Sequence, residues 1–241
     1  ISGISKTAAV TARQVKPGVF ELQVPNLPRG YRVSKWVCTG GTLQDNILTL
    51  ANREFAKCRV ERKDIPASLK LAKAVDGSAR LVAGTANEYD VAYTLTVSHE
   101  GGIAGVYDLV DTPAFDSDVE IVSTTVLRND QALNVTPSAV TGAGAAQARR
   151  QWPLATQQSL AIGATDVYRM TFRVRVPFEG STANDRCQAA GDGAGHGLFN
   201  AATLTRQQGG QASGEPLSAP DCLDPPAPVS YTPLRAPETD S

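Results

Sequence analysis

Apolar and polar residues alternate without interruption along several stretches of this chain. Tyr168, Met170, Phe172, Val174 and Val176 are interleaved with Arg169, Thr171, Arg173 and Arg175, and Val91, Tyr93, Leu95 and Val97 with Ala92, Thr94, Thr96 and Ser98. A period of two lines up one kind of side chain on each face of an extended strand, and scatters both kinds around a helix. Val19 to Val24 and Tyr31 to Trp36 read the same way, and Gly, Pro, Asn and Asp clusters separate the runs. Helical periodicity is scarce. Ala145 to Gln151 has room for one short helical turn before Pro153 stops it. Many short strands with turn signals between them predict an all-β chain built of sandwiches.

A length of 241 residues allows one large domain or two smaller ones. The segment Asp64-Ile65-Pro66-Ala67 marks a boundary, because a proline just before a new strand makes a short, stiff link. The expected organisation is a short β module over 1–65 that lacks its opening strand, a larger β-sandwich over 66–232, and a Pro-rich linker or tail over 233–241. With no initiating Met and no signal peptide, the chain reads as a piece of something longer. Hydrophobic residues make up 41% of it, enough for a core, and the net charge of −1 gives no reason to expect nucleic acid or an anionic membrane as partner. No apolar run approaches the ~20 residues that span a bilayer.

The four cysteines fall into two local pairs, Cys38 with Cys58 and Cys187 with Cys222. None stands in a Cys-x-x-Cys arrangement and there are only two histidines, so no zinc site and no other cofactor is expected. Even, well-separated cysteines in a β-rich chain read as disulfides formed in an oxidising compartment; four buried thiols are the alternative.

Several motifs carry a resemblance. Phe20-Glu21-Leu22, Leu27-Pro28-Arg29-Gly30-Tyr31, Trp36-Val37-Cys38-Thr39-Gly40-Gly41, Ile47-Leu48-Thr49-Leu50 and Cys58 are similar to the second half of a prealbumin-like surface-protein repeat. Ile65 to Gly77 resembles the junction that follows such a repeat. Tyr93-Thr94-Leu95-Thr96-Val97, Tyr107 to Pro113 and Leu198 to Thr205 resemble the Ig-like repeat domain of bacterial adhesins and fimbrial proteins. The resemblance implies an extracellular, cell-surface stalk of sandwiches flanked by neighbouring domains of a longer protein. Some relatives crosslink themselves: a Lys on the first strand attacks an Asn on the last, helped by a buried Asp or Glu.

That reaction requires a neutral amine, which burial favours, and a carboxyl group pushed toward protonation, which polarises the amide carbonyl. Lys73 shares strand parity with Leu69, Leu71 and Val75 and so points inward with them, whereas Lys70 has the opposite parity. Asn200 shares parity with Leu198, Ala202 and Leu204. For the acid, Asp111 goes with Tyr107 and Leu109, and Asp108 with Val106 and Val110, so periodicity leaves both open; the resemblance leans to Asp111. In the first module Glu61 stands near the place of the family's terminal Asn, and no bond is expected there.

Other residues read less sharply. His99 and His196 are flanked by turn-like residues and are expected on exposed loops, and no Gly-x-Ser-x-Gly elbow accompanies either. Asp116 and Asp118, with Glu120, form a weak calcium candidate, as does Gly191-Asp192-Gly193, but neither has a full ligand spacing. Trp36 and Trp152 are expected in the core rather than as ligand platforms. With no convergent acid, base and nucleophile, an enzyme is not expected, beyond at most one autocatalytic crosslink. The leading expectation is a structural spacer. The alternative is an adhesin module recognising a host glycan or protein through loops of the second domain, with the polar, small-residue insert from Asn129 to Gln158 as the candidate surface.

Overall fold

The computed structural model describes residues 15–139, 150–177, 186–188 and 195–226. Every regular element among them is a strand. The chain divides into two compact units. The first takes in the chain to Leu69 with His99–Gly105 and Ala161–Gly163; the second takes in Lys70–Ser98, Val106–Leu160 and the chain from Ala164.

Five strands form early in the chain: β1 (Gly18–Glu21), β2 (Tyr31–Thr39), β3 (Thr42–Gln44), β4 (Ile47–Leu50) and β5 (Lys57–Asp64). They make a three-stranded sheet in the order β1-β4-β3 and a ribbon of β2 with β5. Thr39-Gly40-Gly41 turns the chain from β2 into β3. Gly40 has φ +82, and a Cβ there would meet the Phe55 carbonyl oxygen at 2.0 Å, so the turn demands glycine. The Glu54 carboxylate fastens the same region by accepting the N–H groups of Gly41 at 2.9 Å and Ala51 at 2.8 Å. Apolar burial is sparse in these strands: Leu48 is buried, while Val19, Val33, Ile47 and the nearby Phe55 are exposed. A disulfide joins Cys38 to Cys58, which lie directly opposite each other on β2 and β5. Where little core is available, such a staple supplies stability by restricting the unfolded chain.

The remaining strands are β6 (Ser68–Val75), β7 (Arg80–Leu81), β8 (Glu88–Gly101), β9 (Gly105–Pro113), β10 (Glu120–Arg128), β11 (Gln131–Ala132), β12 (Ser138–Ala139), β13 (Arg150–Leu160), β14 (Thr165–Arg175), β15 (Leu198–Gln208), β16 (Gln211–Ala212) and β17 (Leu217–Leu223). One sheet runs β11-β10-β14-β8-β6, with β7 also on β8; the other runs β12-β13-β9-β15-β16, with β17 also on β15. The alternation read from the sequence fills the space between them. Val91, Tyr93, Leu95 and Val97 of β8 and Tyr168, Met170, Phe172 and Val174 of β14 are all fully buried. Phe172 sits edge-on to Phe115, Trp152 and Tyr93, with centroids 5.5, 5.4 and 6.1 Å away. Pro220 lies in β17, an edge strand, where a missing N–H costs no ladder bond.

Three expectations are corrected here. His99 is buried rather than on an exposed loop, because β8 continues past Ser98 and keeps His99 on the inward side with Val97; its Nε2 lies 2.8 Å from the Gly101 carbonyl oxygen. Arg150 and Gln151 begin a strand rather than end a helical turn; the first residues of that stretch lie outside the described ones. The insert from Asn129 to Gln158 is not one long loop. It contributes β11, β12 and most of β13, and β13 delivers Trp152 and Leu154 to the core. Its residues 140–149 lie outside the described ones, as do Gly191-Asp192-Gly193 and the 233–241 tail.

Candidate functional site

Three strands of the second unit bring three polar side chains together in its core. β6 presents Lys73 inward, in register with Leu69 and Leu71, and leaves Lys70 exposed. β9 presents Asp111 on the same face as Tyr107 and Leu109, all three fully buried. β15 presents Asn200 between Leu198 and Ala202, again with no exposure. On β9 and β15 Asp111 lies opposite Ala202, which sets its carboxylate diagonal to Asn200.

The Lys73 ammonium and the Asp111 Oδ1 form an ion pair whose two side chains are both 0% exposed. Asn200 Nδ2 donates to the other carboxylate oxygen, Oδ2, at 2.9 Å. The carboxylate therefore bridges the lysine nitrogen and the amide nitrogen. Asn200 Oδ1 is buried without a hydrogen-bond partner. Lys73 Nζ also lies 5.1 Å from the centroid of the Tyr93 ring, and the Tyr93 hydroxyl donates to the Leu198 carbonyl two residues from Asn200.

Burial drives both ionisable groups toward their neutral forms. It pulls the Lys73 amine below its ordinary value, against the opposing pull of the Asp111 and Asp221 charges. It pushes the Asp111 carboxyl up, against the Lys73 charge and the hydrogen bonds from Lys73 and Asn200. A neutral amine beside a protonated acid and an unsolvated amide is the state in which acyl transfer from amide to amine is chemically open.

The two acid candidates separate. Asp108 faces the opposite side of β9, where its oxygens accept the Gln157 N–H and the Gln207 side-chain amide, each at 2.7 Å. The second disulfide, Cys187–Cys222, is formed and ties β17 to the segment before β15. No group of three or more metal-ligating side chains gathers among the described residues. Asp116 is buried and its Oδ1 accepts the Ser117 N–H at 2.5 Å, so it serves a turn. Trp152 is buried; Trp36 is half-buried beside Leu22, Val24, Val33 and Leu43 in a groove of the first unit.

Sequence reasoning missed a second polar cluster in this core. The Tyr107 hydroxyl donates to Asp166 Oδ2 at 2.6 Å and lies 2.8 Å from the Tyr168 hydroxyl. Arg128 and Asn129 complete the shell of Asp166, at 3.0 and 2.9 Å. The signal was present: Asp166 has the inward parity of Tyr168, two residues before the run as first read.

Residues 1–60 match the model of a prealbumin-like fold domain. Among curated proteins, none matches the chain by sequence. Among solved structures, the chain is similar to the major pilin subunit BcpA of Bacillus cereus, at 10% identity over 79% of this chain and 64% of that one, with a TM-score of 0.39. It is similar to the major pilin SpaD of Corynebacterium diphtheriae at 12% identity, over 84% of this chain and 46% of that one, with a TM-score of 0.38. It is similar to the major pilin RrgB of Streptococcus pneumoniae at 13% identity, over 61% of this chain and 24% of that one, with a TM-score of 0.31. The chain thus spans less than two thirds of the length of each of these three. No helix among the described residues is long and apolar enough to cross a membrane.

Proposed function

We propose that the chain is a structural segment of a bacterial cell-surface protein of the fimbrial type, and that its second unit crosslinks itself once, between Lys73 and Asn200. The burial of Lys73, Asp111 and Asn200 in one dry cluster carries this reading. The extracellular placement is supported by two disulfides and by the match of residues 1–60 to a prealbumin-like domain. Its partners on this reading are the neighbouring domains of the longer protein.

The chemistry balances without cofactor or oxidant. Neutral Lys73 Nζ attacks the Asn200 side-chain carbonyl carbon. The bond from that carbon to Nδ2 breaks, a new amide bond to Nζ forms, and ammonia leaves. Asp111 touches both nitrogens, so it can take a proton from Nζ and pass one to departing Nδ2. The sequence had suggested a different task for the acid, polarising the carbonyl. In the observed orientation the acid faces the leaving nitrogen; a half-turn of the Asn200 amide would exchange the two roles. Packing holds the groups together, and that proximity supplies much of the rate.

Intact-mass measurement under non-reducing conditions tests the reading. The expected mass is lower than the disulfide-corrected sequence mass by one ammonia. Lys73→Ala and Asn200→Ala should each abolish that loss, and peptide sequencing should join the two strands. A full sequence mass in the wild-type chain refutes the crosslink.

A further inference from the structure

Asp221 lies beside the crosslinking site and has no part in the scheme above. It stands on β17 directly opposite Asn200 of β15. β6 is the edge strand of its own sheet. Asp221 Oδ2 reaches across to accept the Val75 N–H at 2.6 Å, two residues along β6 from Lys73. Its other oxygen accepts the N–H of Cys222 at 2.8 Å. One carboxylate therefore joins the strand that carries the amine to the strand beside the amide.

Cys222, the next residue, is held in turn. Its disulfide to Cys187 fastens β17 to the chain just before β15, and the Cys187 N–H donates to Asp224 Oδ1 at 2.7 Å. Gly197 packs against this link so closely that a Cβ there would lie 3.1 Å from the Cys187 sulfur. The path from disulfide to Lys73 is short and continuous: Cys187–Cys222, Asp221, Val75, Lys73.

We propose that Asp221 is a positioning residue which, fixed by the Cys187–Cys222 disulfide, sets the Lys73 strand against Asn200, so that the crosslink forms efficiently only after that disulfide has closed. This rests on the crosslink proposed above.

The groups around the Lys73 amine are Asp111 from β9, Asp221 from β17, the Tyr93 ring from β8 and the neutral Asn200 amide from β15. The negative charge of Asp221 favours the ammonium form. Its geometry thus assists attack while its charge opposes it, and two substitutions separate these effects. Asp221→Asn keeps one oxygen for the Val75 N–H, gives up the acceptor of the Cys222 N–H and removes the charge; Asp221→Ala removes all three.

The full chain is made by cell-free synthesis in an oxidising buffer, translation is stopped, and the fraction lighter by one ammonia is followed in time and across pH. The proposal expects Asp221→Ala and the Cys187→Ala/Cys222→Ala pair each to crosslink about tenfold more slowly, because the Lys73 strand is no longer held in place and a misplacement of about 1 Å costs up to about a hundredfold in rate. It expects Asp221→Asn to crosslink at least as fast as wild type, with the rising limb of its pH profile moved to lower pH. Wild-type chain kept reduced should match the cysteine pair. Asp221→Asn retains the hydrogen bond from Val75, so the pH arm stands even where Asp221→Ala folds poorly. Wild-type rates in Asp221→Ala and in chain lacking the disulfide overturn this inference and leave the crosslink standing. No ammonia loss from wild type at any pH overturns both.

Discussion

Replacing Lys73 by Met leaves Asp111 alone in a site where both side chains are 0% exposed. The Met fills the space of the lysine stem but cannot neutralise the carboxylate. Burial already pushes Asp111 up, and the Lys73 charge and hydrogen bond are the first two influences restraining it. Without them its folded pKa rises further, while the unfolded value stays at about 4. An acid whose folded pKa is raised binds more protons folded than unfolded, so stability falls as pH rises. Below about pH 4 the group is neutral in both states and costs nothing. Above that the loss grows by about 1.4 kcal/mol per pH unit until the folded group ionises. Breaking a buried pair from one side costs about 3–5 kcal/mol, which at that slope takes about two to four pH units to develop. Comparison of Lys73→Met with Lys73→Met/Asp111→Leu isolates this effect, since every other titrating group is common to both. Urea unfolding is followed through Trp152 fluorescence in a Trp36→Phe background, from pH 4 to pH 8. The stability gap between the two variants should open in favour of the double variant as pH rises. A gap that stays constant across that range would show that Asp111 is solvated, and would remove the physical basis of the proposed crosslink.

Phe172→Ala empties the meeting point of three other rings and should cost about 3–5 kcal/mol, read as a lower urea midpoint for the second unit. Cys38→Ser/Cys58→Ser opens a link of sequence separation 20 and should cost the first unit about 3 kcal/mol, seen as faster proteolytic cutting within β2–β5. Burial pushes the Asp166 carboxyl up, but hydrogen bonds from Tyr107, Asn129 and Arg128 and the Arg128 charge outweigh it and leave it below its ordinary value. Its stabilisation is therefore present above about pH 4 and lost as pH falls through its folded value, so urea midpoints of wild type and Asp166→Asn should converge in acid. Arg128→Lys should yield no second ammonia loss in an intact-mass measurement.

The long strands were legible because both faces of the second unit's sheets obey the period of two. The resemblance supplied the roles of a Lys and an Asn, and the same parity fitted Lys73 and Asn200 to them, since a single inward-facing polar residue stands out against Leu69, Leu71, Leu198 and Ala202. Parity was silent between Asp108 and Asp111 because β9 runs between β13 and β15, and its outer face also carries valines, half-buried. β13 was harder to read. Its inward set of Trp152, Leu154 and Leu160 is broken at Gln157, which takes a left-handed backbone with φ 49 and turns its N–H to Asp108. Asp221 gave no signal at all: its partner is a backbone N–H on a strand 146 residues away, and sequence does not encode which edge a distant strand presents.

The core of the second unit contains the same three ingredients twice, and the two sets differ in the properties that acyl transfer needs. Arg128, Asp166 and Asn129 repeat the cation, carboxylate and amide of Lys73, Asp111 and Asn200. Arg128 is 30% exposed, so water supports its charge, and a guanidinium does not lose its proton in any case. Asp166 responds by staying ionised, whereas Asp111 is pushed toward protonation. The amides differ as well: Asn129 Oδ1 accepts the Val167 N–H at 2.8 Å, while Asn200 Oδ1 has no donor. A carbonyl oxygen committed to a backbone N–H is held in place, and the Asn129 amide serves as a strand connector. Exposure, the kind of cation and the state of the amide oxygen all change together between the sites, and each change favours a permanent ion pair at Asp166 and a neutral, reactive cluster at Asp111. An arginine replaced by lysine at 128 alters only one of the three, which is why it should not create a second crosslink.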